Sequence, residues 1–295
     1  VTAGDVKDSA DELTQRPAPA NRSLPDFARD FPTIDAFLAW WLENDVLVEP
    51  HASVFNGYYA GYRAKFGPYL RHHYSGQTEE IGRLIAAKKG PSLLEVGGGC
   101  GTEALWFALR GARVLAVDVN NERLAVARAR QKIVEQGVGR PLNLEFRFCS
   151  LFDLPSEPSF DLVWMEQAFH HVEPRAQVYG TIAGLLKHDG HVVISEANAW
   201  NPLLQLVLFR RRGFETIVER TTEQGEHILY GNERITIPTV LARGFADAGI
   251  EQQSVRYFRV LPNVKAADAF LSLEKWVPRQ AAPLFSHYNY VGRKP

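Results

Sequence analysis

The residues best suited to chemistry lie in four short stretches. Leu94-Glu95-Val96-Gly97-Gly98-Gly99-Cys100-Gly101 joins an apolar run to a helix-like segment. Glycines at such a junction let a ligand approach the backbone and leave the N–H groups of the next helix facing it. Asp118 closes the next strand-like run, where one carboxylate accepts both hydroxyl protons of a ribose. Glu166-Gln167-Ala168-Phe169-His170-His171 and Glu196-Ala197-Asn198 follow two further runs. His171 is the candidate general base, because an unperturbed imidazole titrates near neutrality. The structural alternative is that His170 or His171 caps the next helix. Glu166 is the second catalytic candidate, and Glu166 and Glu196 are both placed to orient an acceptor amine or a histidine.

The glycine loop alone has two readings. Gly99-x-Gly101-x-x-Ala104 fits the loose dinucleotide fingerprint, with Asp118 as the ribose acid. Glu95, two residues before the first glycine, would repel a pyrophosphate lodged there but suits a ligand carrying an ammonium or sulfonium charge. Glu95-x-Gly97-x-Gly99-x-Gly101 therefore favours a nucleoside bearing an amino acid.

These groups need a frame to hold them. Strand patterns at 92–96, 112–119, 142–148, 160–165 and 191–196 alternate with helix-length segments, which predicts right-handed crossovers and a doubly wound, mostly parallel α/β sheet. Two aromatic, alternating runs, 254–260 and 285–293, predict an antiparallel pair at the sheet edge. Ile34, Phe37, Leu38 and Trp41 recur at helical spacing after Thr33, and residues 53–75 read as helical on either side of Gly67-Pro68. The expected organisation is a flexible leader over 1–25, an N-terminal helical lid over 26–90, and one domain over 91–295, with 197–235 inserted over the site.

With these motifs in order, the chain resembles the class I S-adenosylmethionine-dependent methyltransferases, in particular the small-molecule, type 11-like group. The resemblance covers about 75–260 and rests on Glu95 to Gly101, Asp118, Phe160-Asp161-Leu162-Val163 and Leu185 to Glu196. It implies a Rossmann-like seven-stranded sheet with the last strand antiparallel, and S-adenosyl-L-methionine as cofactor. It also implies cofactor contacts from Glu95, Gly97, Gly99, Gly101, Asp118, Val119, Leu151 and Glu166. Ser150 stands where the family often has an acid for the adenine amino group. Tyr74-Ser75 is similar to a pair that touches the cofactor's methionine end in cyclopropane-synthase-like relatives.

The implied reaction is methyl transfer to a small polar acceptor: an amine, a thioether such as methionine, or a hydroxyl. Tyr58, Tyr59, Arg63, Tyr69, His170 and Asn198 are the candidate acceptor residues, the aromatics as a cation–π box and the arginine as a carboxylate clamp. Two alternatives stand beside it: a lipid acceptor, suggested by Pro202 to Phe209 followed by Arg210-Arg211-Arg212, and a non-catalytic cofactor-binding subunit. Lys+Arg 33 against Asp+Glu 34 leaves no basic excess for nucleic acid. The nine histidines do not pair with cysteines or acids at ligand spacing, so no metal is expected. Two cysteines, no apolar run of membrane-spanning length and a polar N-terminus unlike a signal peptide predict a cytoplasmic protein without stable membrane insertion. Trp40-Trp41 offers a homodimer contact.

Overall fold

Thr33 precedes the first regular element of a computed structural model that describes residues 24–221, 225, 227–262, 264–278 and 280–295. Residues 1–23 of the expected leader lie outside it. The N-terminal helices are α1 (Ile34–Glu43), α2 (His51–Tyr58), α3 (Ala60–Arg63), α4 (Pro68–Gln77) and α5 (Glu79–Ala86). Proline in the first turn opens α4, where a missing N–H costs nothing. Trp41, offered above as a dimer contact, is instead core: it is buried against Phe27, Phe37 and Trp40.

The alternating part follows as β1 (Ser92–Val96), α6 (Thr102–Leu109), β2 (Arg113–Asp118), α7 (Asn121–Val138), β3 (Leu144–Phe148) and β4 (Phe160–Glu166). Next come α8 (Arg175–Leu185), β5 (Leu186–Ala197), α9 (Pro202–Arg212), β6 (Ile217–Thr221), β7 (His227–Gly231), α10 (Pro238–Asp247), β8 (Glu251–Phe258) and β9 (His287–Arg293). The seven-stranded sheet has the order β3-β2-β1-β4-β5-β9-β8. Neighbours from β3 to β5 are parallel, and β9 runs antiparallel to both β5 and β8. The doubly wound, mostly parallel sheet read from the sequence is thus present. Apolar cores cover both of its faces, as parallel strands require.

Strand order reverses between β1 and β4, so the loops after these strands diverge and leave a crevice at their carboxyl ends. The 197–235 segment, which showed no clean pattern, holds α9 and a separate β6–β7 hairpin. Two isolated bridges tie this insertion to the domain, Val172 to Tyr230 and Asn198 to Thr236.

At the opposite end of β4, Asp161 accepts from the Ser92 amide at 2.8 Å, the Ser92 hydroxyl at 2.7 Å and Lys187 Nζ at 3.2 Å, and it pairs with Lys88. Burial would raise its pKa, but these donors outweigh burial and hold it below the ordinary carboxylate range. Asp161→Asn should therefore destabilise the protein by about 2 kcal/mol at neutral pH. Because the folded pKa is depressed, this gap is fully present above about pH 4 and is lost as pH falls through the folded value. Thermal melts of both forms from neutral to acid pH check this; a gap that does not change with pH would refute it.

Candidate active site at the carboxyl ends of β1, β4 and β5

Gly97, Gly99 and Gly101 all adopt positive φ, at 81°, 48° and 77°. A side chain is excluded here by space as well: a Cβ on Gly101 would lie 2.7 Å from the Phe146 ring, and one on Gly99 2.5 Å from the Tyr58 hydroxyl. Asp118 accepts from the Gly99 amide at 2.8 Å through one oxygen and from the Asn120 amide at 2.8 Å through the other. Asn120 then caps α7 by accepting from the Arg123 amide. The carboxylate is thereby fixed at the rim of the loop, with Val119 exposed beside it.

Beneath the loop, Glu95 is buried and its Oε2 has no hydrogen-bond partner among the described residues. Burial, then the charges of Glu103 and Glu166, push its pKa well above the usual range. An orphaned carboxylate oxygen under a glycine cradle fits a cationic ligand that lies on the backbone. Glu103, in the first turn of α6, takes a hydrogen bond from the Tyr74 hydroxyl. Glu166, at the end of β4, takes one from Gln77 at 3.3 Å. Burial and the charges of Glu103 and Glu196 raise Glu166 as well.

The N-terminal helices are latched to this loop by a buried arginine. Arg130, from α7, donates to the Cys100 carbonyl at 2.6 Å and to Thr102 Oγ1 at 2.8 Å. Its guanidinium lies 4.4 Å from the Trp41 ring centroid and 5.1 Å from that of Phe55. Tyr59 completes the latch, its hydroxyl 2.6 Å from Thr102 Oγ1.

At the ends of β4 and β5 the arrangement differs from the one expected. His170 is buried, with Nδ1 2.7 Å from Glu196 Oε2, and Glu196 is wholly buried. Glu233 Oε2 lies 3.7 Å from His170 Nε2. Burial alone would lower the pKa of His170, but Glu196 and then Glu233 outweigh it and raise it above 6.5. His171 lies the other way: Nδ1 is 2.8 Å from the Gly231 carbonyl, and its ring stacks on Tyr230 at 4.6 Å. Burial and the neighbouring His170 lower its pKa. Arg220 covers the far face of this stack, 3.8 Å from the Tyr230 centroid.

Other expected residues are engaged elsewhere. Ser75 donates to Asp35 at 2.6 Å, beside a cavity of about 710 Å³ between the N-terminal helices and β8. Arg63 is exposed and 3.6 Å from Asp45. Tyr69 bonds Glu274 and the Leu261 backbone. Asn198 spends its amide on the carbonyls of Ala282 and Phe285, both at 2.9 Å, and its oxygen on the Trp200 amide. These four residues brace the scaffold rather than converge on the loop. Ser150 accepts from the Phe152 amide, while its own amide donates to Asp153, and Leu151 is buried behind it. Sequence reading missed Arg130, Glu103, Gln77 and Glu233. A buried arginine on a helix and a glutamate in an irregular stretch carry no local signature, although the positive φ of Glu233 marks a special position once the backbone is known.

Residues 94–194 match the family described as "Methyltransferase domain". The chain carries a methyltransferase domain. Methyltransferase GfsG of Streptomyces halstedii is 29% identical over 153 residues, covering 51% of this chain and 53% of that protein. The ubiquinone biosynthesis O-methyltransferase of Acinetobacter baumannii (strain AYE) is 31% identical over 165 residues, covering 55% and 64%. The chain thus spans less than two thirds of the length of either relative. Among solved structures, magnesium protoporphyrin IX methyltransferase from Synechocystis PCC 6803 with bound SAH shares the fold, with a TM-score of 0.52 at 12% identity, over 88% of this chain and 94% of that one. The methyltransferase domain holds the glycine loop, Asp118, Glu166 and His170 within the matched span. Glu196 lies two residues past its end, and Glu233 in the insertion.

Proposed function

We propose that this protein transfers a methyl group from S-adenosyl-L-methionine to an acceptor hydroxyl that must lose its proton, releasing S-adenosylhomocysteine. The observation that carries the reading is the buried His170–Glu196 pair at the ends of β4 and β5, beside the glycine loop. When bound, the cofactor supplies an electrophilic methyl group on a sulfonium whose thioether is a good leaving group. Glu95, the glycine loop and Asp118 would hold it, through the ammonium, the backbone and the ribose respectively. His170 Nε2 takes the acceptor proton, and Glu196 fixes the tautomer and stabilises the imidazolium. The base role thus moves from His171 to His170. Tyr58 stands against Gly99 and Glu166 ends β4, and the stack of His171, Tyr230 and Arg220 would shield the acceptor from water.

A thioether acceptor loses no proton and would leave the histidine pair without a task. The name of the O-methyltransferase relative points the same way. The test supplies methyl-labelled cofactor and a pool of phenols, alcohols, amines and thioethers, with products read by mass spectrometry. Label on a hydroxyl supports the reading; label only on a thioether, or cofactor binding without turnover, overturns it.

One specific observation favours a second reading. Nitrogens of His170 and His171 and an oxygen of Glu233 lie within 4.8 Å of one another. Both histidines already anchor their other nitrogen, as metal ligands do. In the proton-transfer reading, dialysis against a chelator leaves turnover unchanged. A loss restored by a divalent cation would make this group a metal centre.

Glu95→Gln keeps volume and removes charge. If Glu95 faces the ammonium, affinity for S-adenosylmethionine and for S-adenosylhomocysteine falls equally, by about 10- to 100-fold. Calorimetry of both ligands checks this; a loss confined to S-adenosylmethionine would move Glu95 to the sulfonium instead.

A further inference from the structure

We propose that α9, with Trp200 and Phe214 at its two ends, docks on an anionic membrane surface. A helix in a globular domain buries its apolar face, and α9 does the reverse. Leu208 is its buried residue, while Leu203 is 73% exposed and Leu206, Val207 and Phe209 are all exposed. Leu203, Leu206, Val207 and Arg210 follow i, i+3, i+4, i+7 spacing, so they share one outward stripe, with exposed Trp200 just before the helix. Phe214, 90% exposed, extends that surface beyond the helix and packs its ring against Phe209 at 4.8 Å.

The occupant is indicated by charge. Pro202–Arg212 contains no acid and ends in Arg210, Arg211 and Arg212, of which the first two are exposed. Arginines at the end of an apolar stripe extend toward phosphate headgroups while their stems stay on the apolar side. Trp200 supplies the ring typical of the membrane–water boundary. Glu215 and Glu219 are exposed further along, outside the helix. No described helix is long and apolar enough to cross a membrane, so α9 lies on the surface. α9 begins six residues after Glu196, and β7, which follows it, carries the Tyr230 ring that stacks on His171, so docking brings this end of the sheet toward the bilayer. The proposal does not depend on the methyl-transfer reading.

The test is flotation of the full chain with vesicles of phosphatidylcholine, alone or with phosphatidylglycerol. The protein is expected to float only with the anionic vesicles, and salt should weaken binding. Arg210→Gln and Arg211→Gln should each weaken it about fivefold. Leu203→Glu combined with Val207→Glu should abolish it, with an unchanged melting temperature because both side chains are exposed. Absence of flotation overturns the proposal, as does equal flotation with both vesicle types. A dimer in sedimentation that Leu203→Glu dissociates, without vesicle binding, would assign the surface to a second copy.

Discussion

Replacing His170 by asparagine is expected to lower kcat by about 10²- to 10⁴-fold, the usual share of a positioned general base, with little change in cofactor affinity. The pH profile carries the sharper test. His170 must be neutral to accept a proton, and its pKa is raised above 6.5 because Glu196 and Glu233 outweigh burial. In the wild type, kcat/KM should therefore rise with pH through a value above 6.5. Glu196→Gln removes the larger of the two attractive charges and leaves burial in place. The rising limb should move to lower pH while the plateau falls. A bracing role alone would change the melting temperature and leave the limb where it was. Steady-state kinetics across the pH range, beside melts of each variant, separate the two. If the limb stays put in Glu196→Gln, another group is titrating.

The second large effect is expected at Arg130→Met. The guanidinium is wholly buried, its charge answered by the Cys100 carbonyl, Thr102 and the faces of Trp41 and Phe55. Methionine fills the stem's volume but donates nothing. It leaves a carbonyl of the glycine loop without its donor and the aromatic wall without its cation. A loss of about 3 kcal/mol is expected, at the lower end for removing a buried charged partner, together with weaker binding of S-adenosylhomocysteine. Chemical denaturation and calorimetry read the two effects. Equal stability would mean that the N-terminal helices hold to the domain without this contact.

The contrast between Glu95 and Arg130 shows how far the sequence could be read. Glu95 announced itself because its chemistry is local: a carboxylate, a strand end and four glycines fall within seven residues. The parallel strands were legible for the same reason, since each is a short apolar run closed by a turn. Arg130 sits on a helix whose arginines look alike in sequence, and only packing from segments nearly ninety residues away singles it out. The proposed choice of base turns on a narrower distinction. His170 and His171 are adjacent and chemically equal until β5 delivers Glu196 to one and the hairpin delivers Gly231 to the other. Pro202 to Arg212 stands out in the sequence by its apolar run and three arginines, but which way its apolar stripe faces shows only in the fold.

The segment that holds the β6–β7 hairpin enters between β5 and α10, returns close to where it left at the Asn198–Thr236 bridge, and meets the domain again where β7 touches Val172 and His171. It carries the Tyr230 ring that stacks on His171, and Glu233 follows two residues after its second strand. On the proposed reading, part of acceptor choice is written on a piece of chain separable from the one that captures the cofactor. A lineage could exchange residues 199–235, acquire a new substrate on that reading, and keep Glu95, the glycine loop and Asp118 in place.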